Sequence, residues 1–166
     1  MDLKAIERIY ILQLKQIYSA ENQMIAVLPK VIRVIQHKEL KAAIKDHLEQ
    51  TRNQATRIQA LFRDLGNYKP HGENCDVVEG LLDELEDLID DSHHTDTLDA
   101  EIILLFQKIE HYEIACYASM VTYARVLGQE AASEMLQESL DEEYEADNKL
   151  DKLNEEVVSG MLLKHA

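Results

Sequence analysis

The chain has 166 residues, of which 46% are hydrophobic and 30% charged, a length and balance that suit one globular domain with a sizeable core. Its 32 acidic and 17 basic residues give a formal net charge of −15, which argues against nucleic acid and an anionic membrane surface as partners. Only 5 glycines and 2 prolines interrupt the chain, which favours long helices over strands and turns.

Two long helices are predicted for the first part of the chain. Apolar residues recur at three-and-four spacing over 2–36, which predicts the first long helix. Pro29 lies inside this pattern, where it removes a backbone donor and is expected to kink the helix without ending it. The same spacing predicts a second long helix over 37–65, and Gly66-Asn67 at its end is a stop signal.

The middle of the chain is polar and acidic. A polar loop over 68–74 leads to a shorter amphipathic helix over 76–91. A second loop, 92–96, carries the paired histidines His93 and His94. Paired histidines can bind metal, but we expect these two to be exposed to solvent.

The last part of the chain again predicts two long helices. The third long helix covers 98–127 and the fourth covers 130–158, whereas 159–166 is expected to fray. Tight turns join the long helices into two hairpins, and one long connection joins the hairpins. This order indicates an all-α, ferritin-like antiparallel four-helix bundle with a short fifth helix in the crossover, as a single domain over 1–166.

The two cysteines and the N-terminus bear on the compartment. Cys75 and Cys116 form neither a metal-type pair nor a disulfide framework. The N-terminal residues run into a helix pattern without a signal-peptide h-region, and no apolar run approaches the length that spans a bilayer. We therefore expect a cytoplasmic protein with reduced thiols and no membrane partner.

Several acidic residues fall on or beside the apolar stripes of the long helices. Glu21 lies within the stripe of the first long helix, and Glu143 lies within that of the fourth. Glu113 borders the stripe of the third and Glu110 lies on its flank, while Asp147 follows Glu143 by one turn. A carboxylate in the core is costly unless it is paired or bound to a cation, so these acids are candidates for a site.

The heights of these acids along their helices match. Counted from the turns of the two hairpins, Glu113 is expected opposite Glu143, and Glu21 lies at a similar mid-helix level. We predict that these three carboxylates converge within metal-bridging distance, because gathered carboxylates hold protons or recruit cations. The other interpretation is that each acid hydrogen-bonds to core tyrosines and histidines.

Four segments resemble a known family. They read Tyr-Ser-Ala-Glu-Asn-Gln at 18–23, His-Leu-Glu-Gln-Thr at 47–51, Glu-His-Tyr-Glu-Ile-Ala at 110–115 and Leu-Asp-Glu-Glu at 140–143. Together they resemble the YciE/YciF family, a bacterial ferritin-like group linked to stress responses, over essentially the whole chain. The resemblance implies a five-helix domain, a homodimer, and a dinuclear iron or manganese site. The apolar face of the short helix is covered either by the dimer partner or by its own bundle.

The ferritin-like pattern also implies ligands, with two departures in this sequence. Arg52 stands where the Glu-x-x-His motif that begins at Glu49 asks for a histidine, and Asp147 is the available second ligand after Glu143. Periodicity places His47, rather than Glu49, on the inward face of the second helix. A core histidine that only forms hydrogen bonds is an equally good interpretation of His47. The candidate metal ligands are Glu21, His47, Glu49, Glu110, Glu113, Glu143 and Asp147.

Two functions fit these features. The first is a stress protein whose iron or manganese handles dioxygen or peroxide, with Tyr18, Tyr112 or Tyr117 as nearby donors of electrons or protons. The alternative is a non-enzymatic helical interaction protein with a degenerate metal site. Arg52 distinguishes them. Its guanidinium either reaches the cluster and limits metal occupancy, or points to solvent and pairs with a surface acid beside Glu49.

Overall fold

The computed structural model describes residues 2–66, 68–91 and 97–164, and for residues 163 and 164 it describes only the backbone. These ranges contain five α-helices and no strand, which confirms the all-α prediction. The helices are α1 (Leu3–Val34), α2 (Lys38–Leu65), α3 (Asp76–Asp91), α4 (Leu98–Val126) and α5 (Glu130–Lys164).

The predicted helix ends differ from the observed ones by one or two residues at most, except at the C-terminus. There, the stretch expected to fray from 159 onwards is helical as far as Lys164. For 159–164 the fraying prediction was wrong, because Gly160 costs only about 1 kcal/mol in a helix and Met161 still packs against the core, while 165 and 166 lie outside the described residues. Asn67 and the histidine loop 92–96 lie outside the described residues.

Side chains and glycines at the helix ends explain where the helices begin and stop. The Asp2 carboxylate accepts the backbone N–H of Lys4 at 3.0 Å and caps α1, which then continues through Pro29. Gly66 and Gly128, which follow the ends of α2 and α4, have φ values of 65° and 70°. Glycine adopts this left-handed conformation without the strain that a Cβ would add, so Gly66 ends α2 before the crossover and Gly128 turns the chain from α4 into α5.

The four long helices contact one another in a closed ring. α1 packs against α2, α2 against α5, α5 against α4, and α4 against α1. α3 packs against α1 and α4 and buries Val78, Leu82 and Leu85. The apolar face of the short helix therefore packs against its own chain.

One buried carboxylate ties the two hairpins together. Asp99, near the start of α4, accepts the backbone N–H groups of Gln36 at 3.0 Å and His37 at 2.7 Å. These two residues belong to the link between α1 and α2, so α4 is held against that turn. Among the described residues, no helix is long and apolar enough to cross a membrane.

Candidate metal centre

A buried cluster of one histidine and three glutamates lies between α2, α4 and α5. His47 comes from α2, Glu110 and Glu113 come from α4, and Glu143 comes from α5. One nitrogen or oxygen atom of each lies within 4.8 Å of those of the others, and none of the four residues is more than 4% exposed. One nitrogen and several carboxylate oxygens form a donor set that suits a first-row divalent cation.

Helix periodicity brings these side chains together. Glu110 and Glu113 are three residues apart and share one face of α4. His47 follows Ile44 on the buried face of α2, and Glu143 follows Leu140 on that of α5. Since α2 and α5 contact each other and α4 packs against α5, these faces meet in the interior.

Glu21 of α1 is fully buried beside the cluster. The Tyr117 hydroxyl donates a hydrogen bond to its Oε1. Glu21 is not one of the four mutually close residues, but its charge acts on Glu110 and Glu113. Burial, and after it the charge of Glu21, raises the pKa of Glu113 well above its usual range. Glu21, Glu113 and Glu143 are thus all buried, and none lies on the solvent face.

Most of the buried polar side-chain atoms that lack a hydrogen-bond partner, among the described residues, belong to this region. They include both oxygens of Glu110 and Glu113, both ring nitrogens of His47, and one oxygen each of Glu21 and Glu143. His47 Nε2 is 3.3 Å from Glu110 Oε1, but the two atoms do not have hydrogen-bond geometry. Proteins leave few buried polar groups unsatisfied, so these atoms fit a shared cation.

The electrostatics of the cluster favour protons when no cation is bound. Burial raises the pKa of Glu21, Glu110 and Glu113 well above the usual range, and the charge of Glu143 adds to the effect. Burial lowers the pKa of His47, so its ring is neutral near neutral pH and has a lone pair for a cation. A cation entering this cluster would therefore displace protons from the carboxyls.

Of the three tyrosines singled out in the sequence, Tyr117 is the one that binds Glu21, beside the cluster. Burial raises the pKa of Tyr117 well above its usual range, so it remains an O–H donor to Glu21. The Tyr18 hydroxyl accepts from Gln59 Nε2 at 2.6 Å, and the Tyr112 hydroxyl accepts from Cys75 Sγ at 3.2 Å. These two phenols bind elsewhere in the core.

Two side chains of α2 that were not selected from the sequence bind the acids of α5. Gln54 is fully buried, and its Nε2 donates to Glu143 Oε1 and, at 3.0 Å, to Glu142 Oε2. Arg57 donates to Glu142 at 2.6 and 2.9 Å and to Glu138 at 2.5 Å. Gln54 lies on the apolar stripe of the second helix, and an amide in that position could have been recognised from the sequence as a candidate site residue. Arg57 gave no such signal.

The structure corrects the prediction of Glu49 as a ligand and distinguishes the two alternatives for Arg52. Glu49 is not brought to the cluster, because its side chain is 67% exposed and pairs with Arg52. Arg52 is itself 46% exposed, so its guanidinium points to solvent and does not neutralise the buried acids. Two residues along a helix turn the side chain by about 200°, so His47 and Glu49 cannot both face inwards.

Asp147 lies at the edge of the cluster. Its Oδ2 is 3.2 Å from Nε2 of His111, a ring that is 68% exposed, while its Oδ1 is buried without a partner. Burial is the main cause of the raised pKa of Glu110, and the charge of Asp147 adds to it. Asp147 is therefore close to Glu110 without belonging to the four mutually close residues.

Sequence comparison gives a family for the chain. Residues 5–162 match the model of a domain of unknown function, DUF892. The chain is also 37% identical over 153 residues to protein YciF of Escherichia coli strain K12, with 92% of each chain covered.

Solved structures agree with this match. The E. coli stress protein YciF superposes with a TM-score of 0.86 at 36% identity, covering 93% of this chain and 97% of that one. YcfI of Rhodopseudomonas palustris superposes with a TM-score of 0.83 at 34% identity, covering 91% and 96%. A Xanthomonas campestris protein at 23% identity has the same fold, with a TM-score of 0.76 and 98% of both chains covered. The chain therefore belongs to the DUF892 family and is a homologue of the stress protein YciF, as the resemblance in its sequence implied.

Proposed function

We propose that this chain is a ferritin-like stress protein whose four-helix bundle binds a divalent metal ion at His47, Glu110, Glu113 and Glu143. The observation that carries the proposal is the set of buried oxygen and nitrogen atoms without partners in this cluster. Three acids and a histidine buried together without a cation leave a desolvation cost that proteins rarely accept. A ligand set of one imidazole and three carboxylates favours iron or manganese.

We propose one metal ion per chain rather than two. Gln54 donates to Glu143 Oε1, and Tyr117 donates to Glu21 Oε1, so protein donors already use two of the carboxylate oxygens. α2 adds the hydroxyl of Thr51 and the amide of Gln54 to the buried region where a second ion would require anionic oxygens. Limited metal occupancy was one of the two alternatives considered for Arg52, and these contacts support it for a different reason.

In such a site, bound iron or manganese supplies reactivity towards dioxygen or peroxide. The residues of this chain hold the ion and keep a proton close to it. The proton is on the Tyr117 hydroxyl, which is bonded to Glu21. Fully buried Phe106 and Met120 of α4 add to the apolar interior around the acids. We also propose that the bound metal handles dioxygen or peroxide and that the chain forms a homodimer.

The test is metal analysis of protein purified without chelators and then loaded with Fe²⁺ under anaerobic conditions or with Mn²⁺. We expect about one ion per chain for a site of four ligands. Glu143→Gln removes one of these ligands and should lose the ion, whereas Glu155→Gln changes an exposed acid of the same helix and should retain it. If the unmodified protein retains no ion, the non-enzymatic interaction protein becomes the better account.

A further inference from the structure

A cavity of about 160 Å³ lies between α2 and α5 and reaches from the surface to the buried cluster. His47 and Glu110, two of the four proposed ligands, line it together with the exposed residues Asp46, Glu145 and Lys149. A single water needs about 10–15 Å³ of such space, so the cavity has room for several waters and therefore for a hydrated cation.

The inner wall of this cavity is polar. Both ring nitrogens of His47 and both carboxylate oxygens of Glu110 are buried without hydrogen-bond partners. These atoms can replace the waters of a cation as it arrives. The cavity thus joins solvent to half of the proposed ligand set.

The mouth of the cavity carries charges that an entering cation would meet. Asp46 on α2 and Glu145 on α5 are exposed acids, and they favour cations at the entrance. Lys149 on α5 places its Nζ 3.3 Å from Asp46 Oδ2, so its ammonium links the two helices. Exposed pairs of this kind contribute little to stability, and the lysine can swing away readily.

Small residues keep the passage open. Ala43 on α2 and Ala146 on α5 belong to its lining, and a larger side chain at either position would occupy the space. Ala146 is partly exposed, so a leucine there extends into the passage without replacing a fully buried core residue.

We propose that this cavity is the entry path for divalent cations and that Lys149, paired with Asp46, is the gate that slows their passage. The inference rests on the proposed metal function, because it describes how the same site is filled. It assigns roles to residues that bind no metal themselves. Their replacement should change the rate of loading more than the final occupancy.

The experiment measures the rate of Mn²⁺ loading by stopped-flow quenching of tyrosine fluorescence and, separately, the Mn²⁺ bound at equilibrium. Ala146→Leu should slow loading severalfold. Lys149→Gln should speed it by up to about tenfold, since a charge at the mouth of a charged cleft changes association rates on that scale. Ala42→Leu, on the exposed side of α2, and Lys152→Gln, on the exposed side of α5, are matched controls that should load like the unmodified protein.

Two results would overturn the inference in distinguishable ways. If Mn²⁺ binds at equilibrium but Ala146→Leu and Lys149→Gln load at the rate of their controls, the path is elsewhere and the metal function stands. If the unmodified protein binds no Mn²⁺ at equilibrium, the proposed function fails and the entry path fails with it. Lys149→Gln changes an exposed side chain, so its result does not depend on whether Ala146→Leu folds.

Discussion

Two buried carboxylates of α4, Asp99 and Glu113, differ in how their oxygens are satisfied. Asp99 is 9% exposed, and its two oxygens accept the backbone N–H groups of Gln36 and His37. Glu113 is fully buried, and neither of its oxygens has a partner. The difference teaches that burial alone does not mark a functional acid. The hydrogen-bond balance of the acid separates a structural carboxylate from one that fits a cation.

The largest expected contrast is in metal affinity. Glu113→Gln replaces an anionic ligand with a neutral amide and should weaken Mn²⁺ binding by more than about 100-fold, beyond the loss seen when only an outer partner of a ligand is removed. Asp99→Asn should leave the affinity unchanged, because Asp99 binds backbone groups at the α1–α2 link. Competition with a chelator of known affinity measures both. Equal losses in the two variants would abolish the distinction.

Substitutions of Asp99 and Glu113 should have opposite effects on stability when metal is removed. Asp99→Ala leaves two backbone N–H groups without their acceptor and should lower the free energy of unfolding by about 1–3 kcal/mol. Glu113→Gln removes a carboxyl that loses its hydration on folding, so stability should stay equal or increase. Urea unfolding in the presence of a chelator measures both changes. A marked destabilisation by Glu113→Gln would indicate that this acid has a structural role.

The pH dependence of the metal-free protein should follow from its raised carboxyl pKa values. Glu21, Glu110 and Glu113 hold protons in the folded state that the unfolded chain releases near the ordinary glutamate pKa of about 4.3. Their contribution to stability is therefore fully present below that pH and is lost as the pH rises through the folded-state values.

Urea unfolding of the metal-free protein at several pH values checks this, and Glu113→Gln is the comparison. The unmodified protein should lose stability with rising pH more steeply than the variant, whereas its metal affinity should increase over the same range. Parallel stability profiles for the two proteins would show that Glu113 does not hold a proton in the folded state.

The smallest effect is expected at Arg52. Its side chain is 46% exposed and pairs with the exposed Glu49. Arg52→His should therefore leave the metal stoichiometry unchanged and alter the free energy of unfolding by no more than about 0.5 kcal/mol. Metal analysis and urea unfolding check the two parts. An increase in bound metal would mean that the guanidinium reaches the cluster in solution.

Sequence periodicity predicted the helices well because few glycines and prolines interrupt them, but it placed the site only in part. Glu21 and Glu143 lie on clear apolar stripes, so their burial was predictable. Glu110 was placed on a flank, yet it is fully buried, because α4 packs against α1, α3 and α5 and is covered on more than one face. For Glu49, periodicity indicated the exposed face correctly, and the family pattern misled.

Sequence periodicity could not predict the side-chain contacts between helices. Gln54 and Arg57 bind Glu142 of α5, which lies more than eighty residues away along the chain. Which residues of α2 face which residues of α5 depends on the rotation and offset of the packed helices, and stripes of apolar residues do not fix either to one residue. The polar neighbours of the site therefore emerged only from the structure.

The most direct test of the central claim is a crystal structure of the protein loaded with Mn²⁺, with data collected for the anomalous signal of manganese. The unpartnered atoms of the cluster predict one strong anomalous peak in each chain, within bonding distance of His47, Glu110, Glu113 and Glu143. If these acids are a purely structural feature, the cluster will show no peak, or manganese will bind only at surface acids. Either result would contradict the account.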